Sequence, residues 1–211
     1  MERKTLLAKH FYIISFFNFL IITSCDVFKS GQSSSSSSGS TAPAATCSDG
    51  SANYPFLRPG HELHYVYRGN IKSDSMIVKV NASSPAGSYK TDINYPGIRT
   101  AVLYYHACGQ DLYTSTNGDY KQNSNWWFSL RSQTGDIWSR QIPGILYTYQ
   151  LMSKNATAYT ALLHRTFTNC YKFTGHDPFN SITDTIYFKP DVGIVYFSGT
   201  REKYELAYKN F

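Results

Sequence analysis

The chain lacks every short motif by which the common catalytic frameworks are recognised. It contains no His-Glu-x-x-His, no Cys-x-x-Cys, no Gly-x-Ser-x-Gly and no glycine-rich phosphate loop followed by lysine. The later histidines are too scattered to suggest a set of metal ligands: His61, His64, His106, His164 and His176. We therefore predict no catalytic residue, no metal and no cofactor, and we expect that the protein is not an enzyme.

Carboxylates are a catalytic resource that needs no motif, because a glycosidase uses only two of them, placed across a cleft. The sequence leaves open whether any two converge, and we favour an interpretation as solvated loop charges. The candidates are Asp177, Asp184, Asp191, Glu202 and Glu205.

Clusters of basic residues are also absent from every short window of the chain. The formal charge is +6, and it falls to +4 if residues 1–24 are removed, since Glu2, Arg3, Lys4 and Lys9 leave with them. A small, dispersed excess of positive charge gives little support for binding to nucleic acid. We predict no nucleic-acid partner.

No apolar run is long enough to make a convincing permanent membrane span. Residues 11–22 are mostly apolar, but a spanning helix needs roughly 20 such residues. The run follows the basic start formed by Arg3, Lys4 and Lys9, which is the layout of a secretory signal peptide. We predict that residues 1–24 are a signal peptide.

The residues that end this segment are Ile22-Thr23-Ser24-Cys25. They resemble the lipobox of bacterial lipoproteins, which implies cleavage before Cys25 and attachment of fatty acyl chains to its sulfur. Each buried CH₂ contributes about 0.8 kcal/mol, so two or three chains anchor a protein stably. We expect a protein of the bacterial cell envelope, bound to a membrane through Cys25 and extracytoplasmic, either periplasmic or at the surface. Asp26, directly after the lipidated cysteine, resembles a signal for retention in the inner membrane. Bacterial groups read this position differently, so the choice between inner and outer membrane stays open.

Two regions of different composition follow the predicted anchor. Residues 25–52 are built of Ser, Gly, Ala, Thr and Pro with little to bury, which predicts a flexible tether. Residues 53–211 are long enough to bury a core and are predicted to form one domain.

Beyond Cys25 the chain has three cysteines, Cys47, Cys108 and Cys170. Thiols normally oxidise outside the cytoplasm, but three cannot all pair within one chain. Cys108 and Cys170 lie in strand-like segments, so we expect a disulfide between them. Cys47 lies in the tether and could take either partner instead.

Apolar and polar residues alternate along much of the domain, as in Leu63, Tyr65 and Tyr67, or Val192, Ile194 and Tyr196. Such alternation predicts strands with one buried face. Turn-forming residues separate these runs at spacings suited to hairpins. We predict an all-β, mainly antiparallel fold, a curved meandering sheet or half-barrel with at most one or two short helices.

Large aromatic side chains are more numerous than a small sheet needs for one buried face. Adjacent Trp126 and Trp127 point to opposite faces if they lie on a strand, so one ring could be exposed. Exposed rings could bind a sugar or a hydrophobic ligand, although plain packing is the more common role. The predicted platform comprises Trp126, Trp127, Trp138, Tyr104 and Tyr105.

Three segments together resemble a loose group of uncharacterised, β-rich secreted proteins and lipoproteins of bacteria. They are residues 54–60 (YPFLRPG), 166–172 (TFTNCYK) and 186–195 (IYFKPDVGIV), the last with its partner strand at 204–206. The resemblance implies a curved antiparallel β architecture outside the cytoplasm and no established activity.

Three functions fit these features, and the interior of the sheet would distinguish them. A filled interior favours a non-enzymatic binding or interaction module, whose protein partner is unknown. An apolar cavity of at least about 300 Å³ favours a carrier of lipid or another hydrophobic ligand. Two facing carboxylates in a cleft lined by Trp127 or Trp138 favour a carbohydrate-binding or glycoside-hydrolysing accessory protein.

Overall fold

The computed structural model describes residues 48–69, 73–82, 87–115, 125–142, 145–161, 163–177, 182–200 and 202–211. The predicted signal peptide, Cys25, Cys47 and most of the tether lie outside these residues. No helix in the described ranges is both long and apolar enough to cross a membrane.

Twelve strands and two short 3-10 turns make up the described chain. The turns are Ser51–Asn53 and Pro55–Leu57. The strands are β1 Glu62–Gly69, β2 Ser75–Ala82, β3 Ser88–Tyr95, β4 Arg99–Cys108, β5 Asp111–Ser115, β6 Asn125–Ser129, β7 Ile137–Ile142, β8 Ile145–Thr160, β9 Arg165–Asp177, β10 Ile182–Lys189, β11 Gly193–Ser198 and β12 Glu202–Lys209.

All twelve strands belong to one antiparallel sheet, in the order β6-β5-β4-β3-β2-β1-β12-β11-β10-β9-β8-β7. Two six-stranded meanders are therefore joined where β1 pairs with β12, with Tyr67 opposite Tyr204. The prediction of an all-β antiparallel meander is confirmed.

The apolar residues that alternate with polar ones in the sequence are the buried residues of the strands. In β1, Leu63, Tyr65 and Tyr67 are buried, whereas His64 and Val66 between them are only half-buried. Successive side chains of a strand point to opposite faces, so every second residue contributes to the core.

The sheet is curled so that its two edge strands, β6 and β7, face each other. The rings of Trp126 on β6 and Trp138 on β7 lie 5.1 Å apart. Phe128 on β6 also contacts Phe173 on β9, at 5.1 Å. The curled sheet thus encloses one core.

The core is closed at one end by the segment that precedes β1. Gly50 donates its N–H to the carbonyl of Ala107 on β4, and Asp49 forms an isolated bridge with Cys108. Phe56 and Leu57 are buried in the interior. We call this end of the sheet the entry end. Residues 48–52, which were predicted to belong to the tether, thus include positions that contact the sheet.

The longest hairpin, formed by β8 and β9, extends past its neighbours. Strand β7 pairs with β8 only as far as Gln150, and three irregularities of register between Leu151 and Ala158 bend the remainder. At the tip, Arg165 donates a guanidinium N–H to the carbonyl of Ala207 on β12, at 2.6 Å. The bent tip therefore lies against the entry end of β12.

The turn after β10 has the structure expected from its sequence. Strand β10 ends at Lys189, directly before Pro190, and Gly193 has a φ of +95°. A Cβ atom on Gly193 would lie 3.2 Å from the Phe56 ring. Glycine is suited to this position because it tolerates both the positive φ and the close approach.

Candidate functional site

The aromatic residues proposed as a ligand platform lie mostly among the rings of the core. Trp127 meets Phe188 edge-on at 5.1 Å and Tyr105 at 6.4 Å. Trp138 is 8% exposed and stacks on Tyr149 at 5.9 Å. These contacts are those of packed core residues.

The two remaining members of the platform are partly buried. Trp126 packs edge-on against Trp138. Tyr104 is half-buried and lies opposite Lys90 on β3 and Ser115 on β5. Four of the five platform rings therefore make ring contacts in the core, which accounts for the excess of aromatic residues without a ligand.

A small cavity lies in the interior beside Phe56, with a volume of about 30 Å³. Its lining is mainly apolar and comes chiefly from the inner faces of β1, β2 and β3. Pockets that hold drug-sized ligands measure roughly 300–1,000 Å³, so this space is about tenfold too small for a carried lipid.

One polar atom of the cavity lining stands out. Thr91 on β3 is 1% exposed, and its Oγ1 has no hydrogen-bond partner among the described residues. A buried hydroxyl without a partner costs about 1–3 kcal/mol.

Three carboxylates converge at the end of the sheet opposite the entry end, where β9 finishes and β10 and β12 begin. We call Asp177, Asp184 and Glu202 the far-end carboxylates. Asp177 and Asp184 are 1% and 0% exposed, and Glu202 is half-buried. The interpretation of these residues as solvated loop charges is wrong, because the curled sheet turns their side chains inward.

Tyrosine hydroxyls hold two of these carboxylates in place. Tyr147 donates to Asp184 Oδ2 at 2.5 Å, and Tyr67 donates to Glu202 Oε2 at 2.8 Å. The second oxygens, Asp184 Oδ1 and Glu202 Oε1, are buried without a hydrogen-bond partner in the described part of the chain.

Burial governs the protonation of the far-end carboxylates. It raises the pKa of Asp184 to about 7, helped by the nearby charges of Glu202 and Asp177 and opposed by the bond from Tyr147. Burial likewise raises the pKa of Glu202, against the effects of the Tyr67 bond and of the Arg99 guanidinium. The group can therefore hold or release a proton near neutral pH.

Two glycines lie so close to this cluster that any larger residue at their positions would collide with its side chains. A Cβ atom on Gly199 would lie 2.4 Å from Asp184 Oδ1, and one on Gly69 would lie 2.3 Å from the Tyr67 hydroxyl. Glycines next to strand ends were the one sequence signal of this cluster, although glycine there usually indicates only a turn.

The far-end carboxylates do not form the site that the glycosidase hypothesis requires. That hypothesis needs a cleft lined by Trp127 or Trp138, and both rings lie in core contacts instead. Asp184 is fully buried, so a substrate cannot reach its carboxyl in this structure.

The other two candidate carboxylates lie elsewhere. Asp191 is exposed and accepts from Lys189 at 3.1 Å, as expected of a solvated loop charge. Glu205 is 0% exposed, contrary to that expectation, and its carboxylate lies 2.8 Å from the Lys203 ammonium. Each of these two carboxylates therefore forms an ion pair with a lysine.

The histidines occupy separate places. His61 stacks on Phe211 at 3.9 Å, and His64 lies edge-on to Tyr208 at 5.4 Å. His164 and His176 are exposed. No group of three or more His, Cys, Asp and Glu side chains in the described ranges is placed to hold a metal ion.

His106 forms a buried pair that resembles a nucleophile and its base. Its Nδ1 lies 2.7 Å from Ser88 Oγ, and burial lowers the pKa of the imidazole, opposed by the charge of Asp49. The two residues lie directly opposite each other on β3 and β4 and are both about 95% buried. Because a substrate could not reach either side chain, we interpret the pair as a polar contact between the two strands.

The expected disulfide between Cys108 and Cys170 is not formed. Cys170 is a buried free thiol that contacts the carbonyls of Phe167 and Thr168 at 3.6 and 3.8 Å. The two cysteines lie on β4 and β9, which are not neighbours in the sheet.

A scan against family models and searches of curated proteins and of solved structures found no match to this chain.

Proposed function

We propose that this protein is a lipid-anchored component of the bacterial envelope whose β domain is a non-enzymatic binding or interaction module. The observation that supports this proposal best is the small volume of the cavity beside Phe56. The cavity of about 30 Å³ is far below the volume that a carrier needs, and the aromatic rings are used in packing. A surface that binds a partner is the function that remains for such a domain.

The sequence before the domain supports the anchoring. A basic start, an apolar run and Ile22-Thr23-Ser24-Cys25 occur in the order that lipoproteins use. The Ser-rich tether then leads into the entry end of the sheet through Gly50 and Tyr54. On this proposal the anchor is joined to the domain at the entry end of the sheet.

The anchor is tested by growing cells that express the full chain with a radioactive fatty acid. We expect label in the protein and its complete loss in Cys25→Ala, because the Cys25 sulfur is the acceptor. Cys47→Ala is the matched control and should keep the label. Label that persists in Cys25→Ala, or an unlabelled protein that retains residues 1–24, would contradict the anchoring.

The module is tested by mass spectrometry of molecules that remain bound, after gentle purification, to the chain from residue 25 with Cys25→Ala, which carries no acyl chains. We expect no stoichiometric lipid, because the interior has no room for one. A lipid recovered at one equivalent per chain would show that the domain is a carrier.

A further inference from the structure

The small cavity beside Phe56 combines an apolar lining with one unsatisfied hydroxyl. Met76, Ile93 and Leu63 supply apolar surface, and Thr91 supplies Oγ1. An apolar space excludes charged or strongly polar molecules, while a buried hydroxyl without a partner favours any occupant that can bond to it.

The Phe56 ring forms one wall of this cavity, and it is the part of the lining that does not come from a strand. It comes from the 3-10 turn Pro55–Leu57, whose Leu57 N–H bonds locally to the carbonyl of Tyr54. The other lining residues belong to the sheet. Phe56 is thus the part of the lining that is not held by pairing between strands.

Contacts show that Phe56 fills space that would otherwise extend the cavity. Its ring meets Tyr105 and Phe188 edge-on at 5.9 and 5.6 Å, and both of these rings also line the cavity. Removing the ring would join its volume to the existing space. Apolar cavities near 150 Å³ take up molecules such as benzene.

We propose that the space beside Phe56 is a binding site for the end of a small apolar molecule that carries one polar group, and that the Phe56 ring closes this site. The polar group bonds to Thr91 Oγ1, and the apolar part takes the place of the ring. Ligand and ring compete for one volume, so binding displaces the turn that joins the sheet to the tether. The site is independent of the proposed anchoring.

The test uses the mature chain from residue 25 with Cys25→Ala, and the probe is 1-hexanol. Its methionines are Met76, which lines the cavity, and Met152, which is 43% exposed. With the methionine methyl groups labelled for NMR, hexanol should shift the Met76 signal saturably and leave Met152 unchanged. Phe56→Ala should bind hexanol about tenfold more tightly or better, since pocket volume governs such affinities.

Thr91→Val in the Phe56→Ala background distinguishes a site with a specific hydrogen-bonding group from an unspecific apolar cavity in the core. It should weaken hexanol binding and leave benzene binding unchanged, because only hexanol can use the hydroxyl. Phe173→Ala is the matched control: it removes an equally buried ring that is not part of the cavity lining. Hexanol binding in that variant should be insensitive to Thr91→Val.

Three outcomes would overturn the proposal. The Met76 and Met152 signals could move together without saturation, Phe56→Ala could bind no more tightly than the unmodified chain, or Thr91→Val could leave the preference for hexanol over benzene intact. The last result would mean that the hydroxyl serves a single water molecule. If Phe56→Ala does not fold, Phe56→Leu makes the same comparisons with a smaller increase in volume.

Discussion

Individual side chains in the far-end carboxylate group have properties that their positions in the sequence do not suggest. Asp184 lies near a strand end and would ordinarily be ionised and solvated. In the structure it is fully buried, bonded to Tyr147 and close to Asp177 and Glu202. Its proton affinity is therefore a property of the fold.

The raised pKa of Asp184 predicts a dependence of stability on pH. The folded-state pKa of about 7 exceeds the ordinary value of 3.8, so the native chain holds the proton more tightly than the unfolded chain. This contribution is complete below about pH 4 and is lost as the pH rises to about 7, at no more than about 1.4 kcal/mol per unit. Urea denaturation across this range measures the slope of stability against pH, to which Asp184 contributes a fall and the lowered pKa values of His61 and His106 contribute a rise.

Between pH 4 and 7 the stability of Asp184→Asn should fall less, or rise more, than that of the native chain, because an amide does not ionise and can still accept from Tyr147. The fall that the carboxylates contribute should not vanish, since the raised pKa of Glu202 acts in the same direction. Asp191→Asn, which changes an exposed carboxylate, is the control and should leave the slope as it was. The same dependence of stability on pH in Asp184→Asn and in the native chain would count against the buried, protonated state.

At the scale of elements, the β8–β9 hairpin behaves as two parts. Near the far end it is an ordinary member of the sheet, whereas beyond Gln150 it leaves β7 and bends through three irregularities of register. The bent part is held at its tip by Arg165, whose guanidinium bonds to Ala207. Segments with few shared contacts open locally at a lower free-energy cost than the whole domain.

Arg165→Ala should loosen the tip of this hairpin with little effect on the global free energy of unfolding. We expect faster amide exchange between Tyr159 and Thr166, and a change of at most about 1 kcal/mol in global stability, because Arg165 is exposed. Lys154→Ala, on the same hairpin but nearer the sheet, is the comparison variant. Unchanged exchange at the tip would mean that the bulged strands hold it there without the arginine.

At the scale of the whole molecule, the curl of the sheet determines which side chains meet in the core. Strands β6 and β7 are the two ends of the strand order, yet Trp126 and Trp138 bring them into contact. This contact joins the two meanders opposite the place where β1 pairs with β12. The core therefore depends on a seam of side chains as well as on a continuous ladder of hydrogen bonds.

Trp138→Ala should destabilise the entire domain, by about 3–5 kcal/mol, because it removes a buried ring of β7 that packs against Trp126 on the other edge strand and against Phe173. Thermal unfolding measured by circular dichroism would show the loss. Tyr208→Ala removes a ring that is 54% exposed and should cost little. Equal costs for the two variants would show that the seam is unimportant.

Much of the fold could be predicted because strand formation is a local property. Alternation in β1 and β11, and the turn around Pro190 and Gly193, follow from neighbouring residues alone. The predicted disulfide failed because the pairing of cysteines depends on which side chains the curl of the sheet brings together, and it does not join Cys108 to Cys170. No local pattern contains that arrangement.

By itself the sequence determined that the domain is built of strands with one buried face, and it supplied the grounds for expecting a signal peptide, a lipid anchor and a tether. The tertiary structure alone decided that the cavity beside Phe56 is only about 30 Å³ in volume, that the tryptophans pack among the rings of the core, and that Asp177, Asp184 and Glu202 meet at one end. The physical reason is that alternation along a strand reflects contacts between near neighbours. The cavity depends instead on residues far apart in the chain, such as Phe56 and Phe188, and the cluster of charges forms only where β9, β10 and β12 meet at one end of the curled sheet.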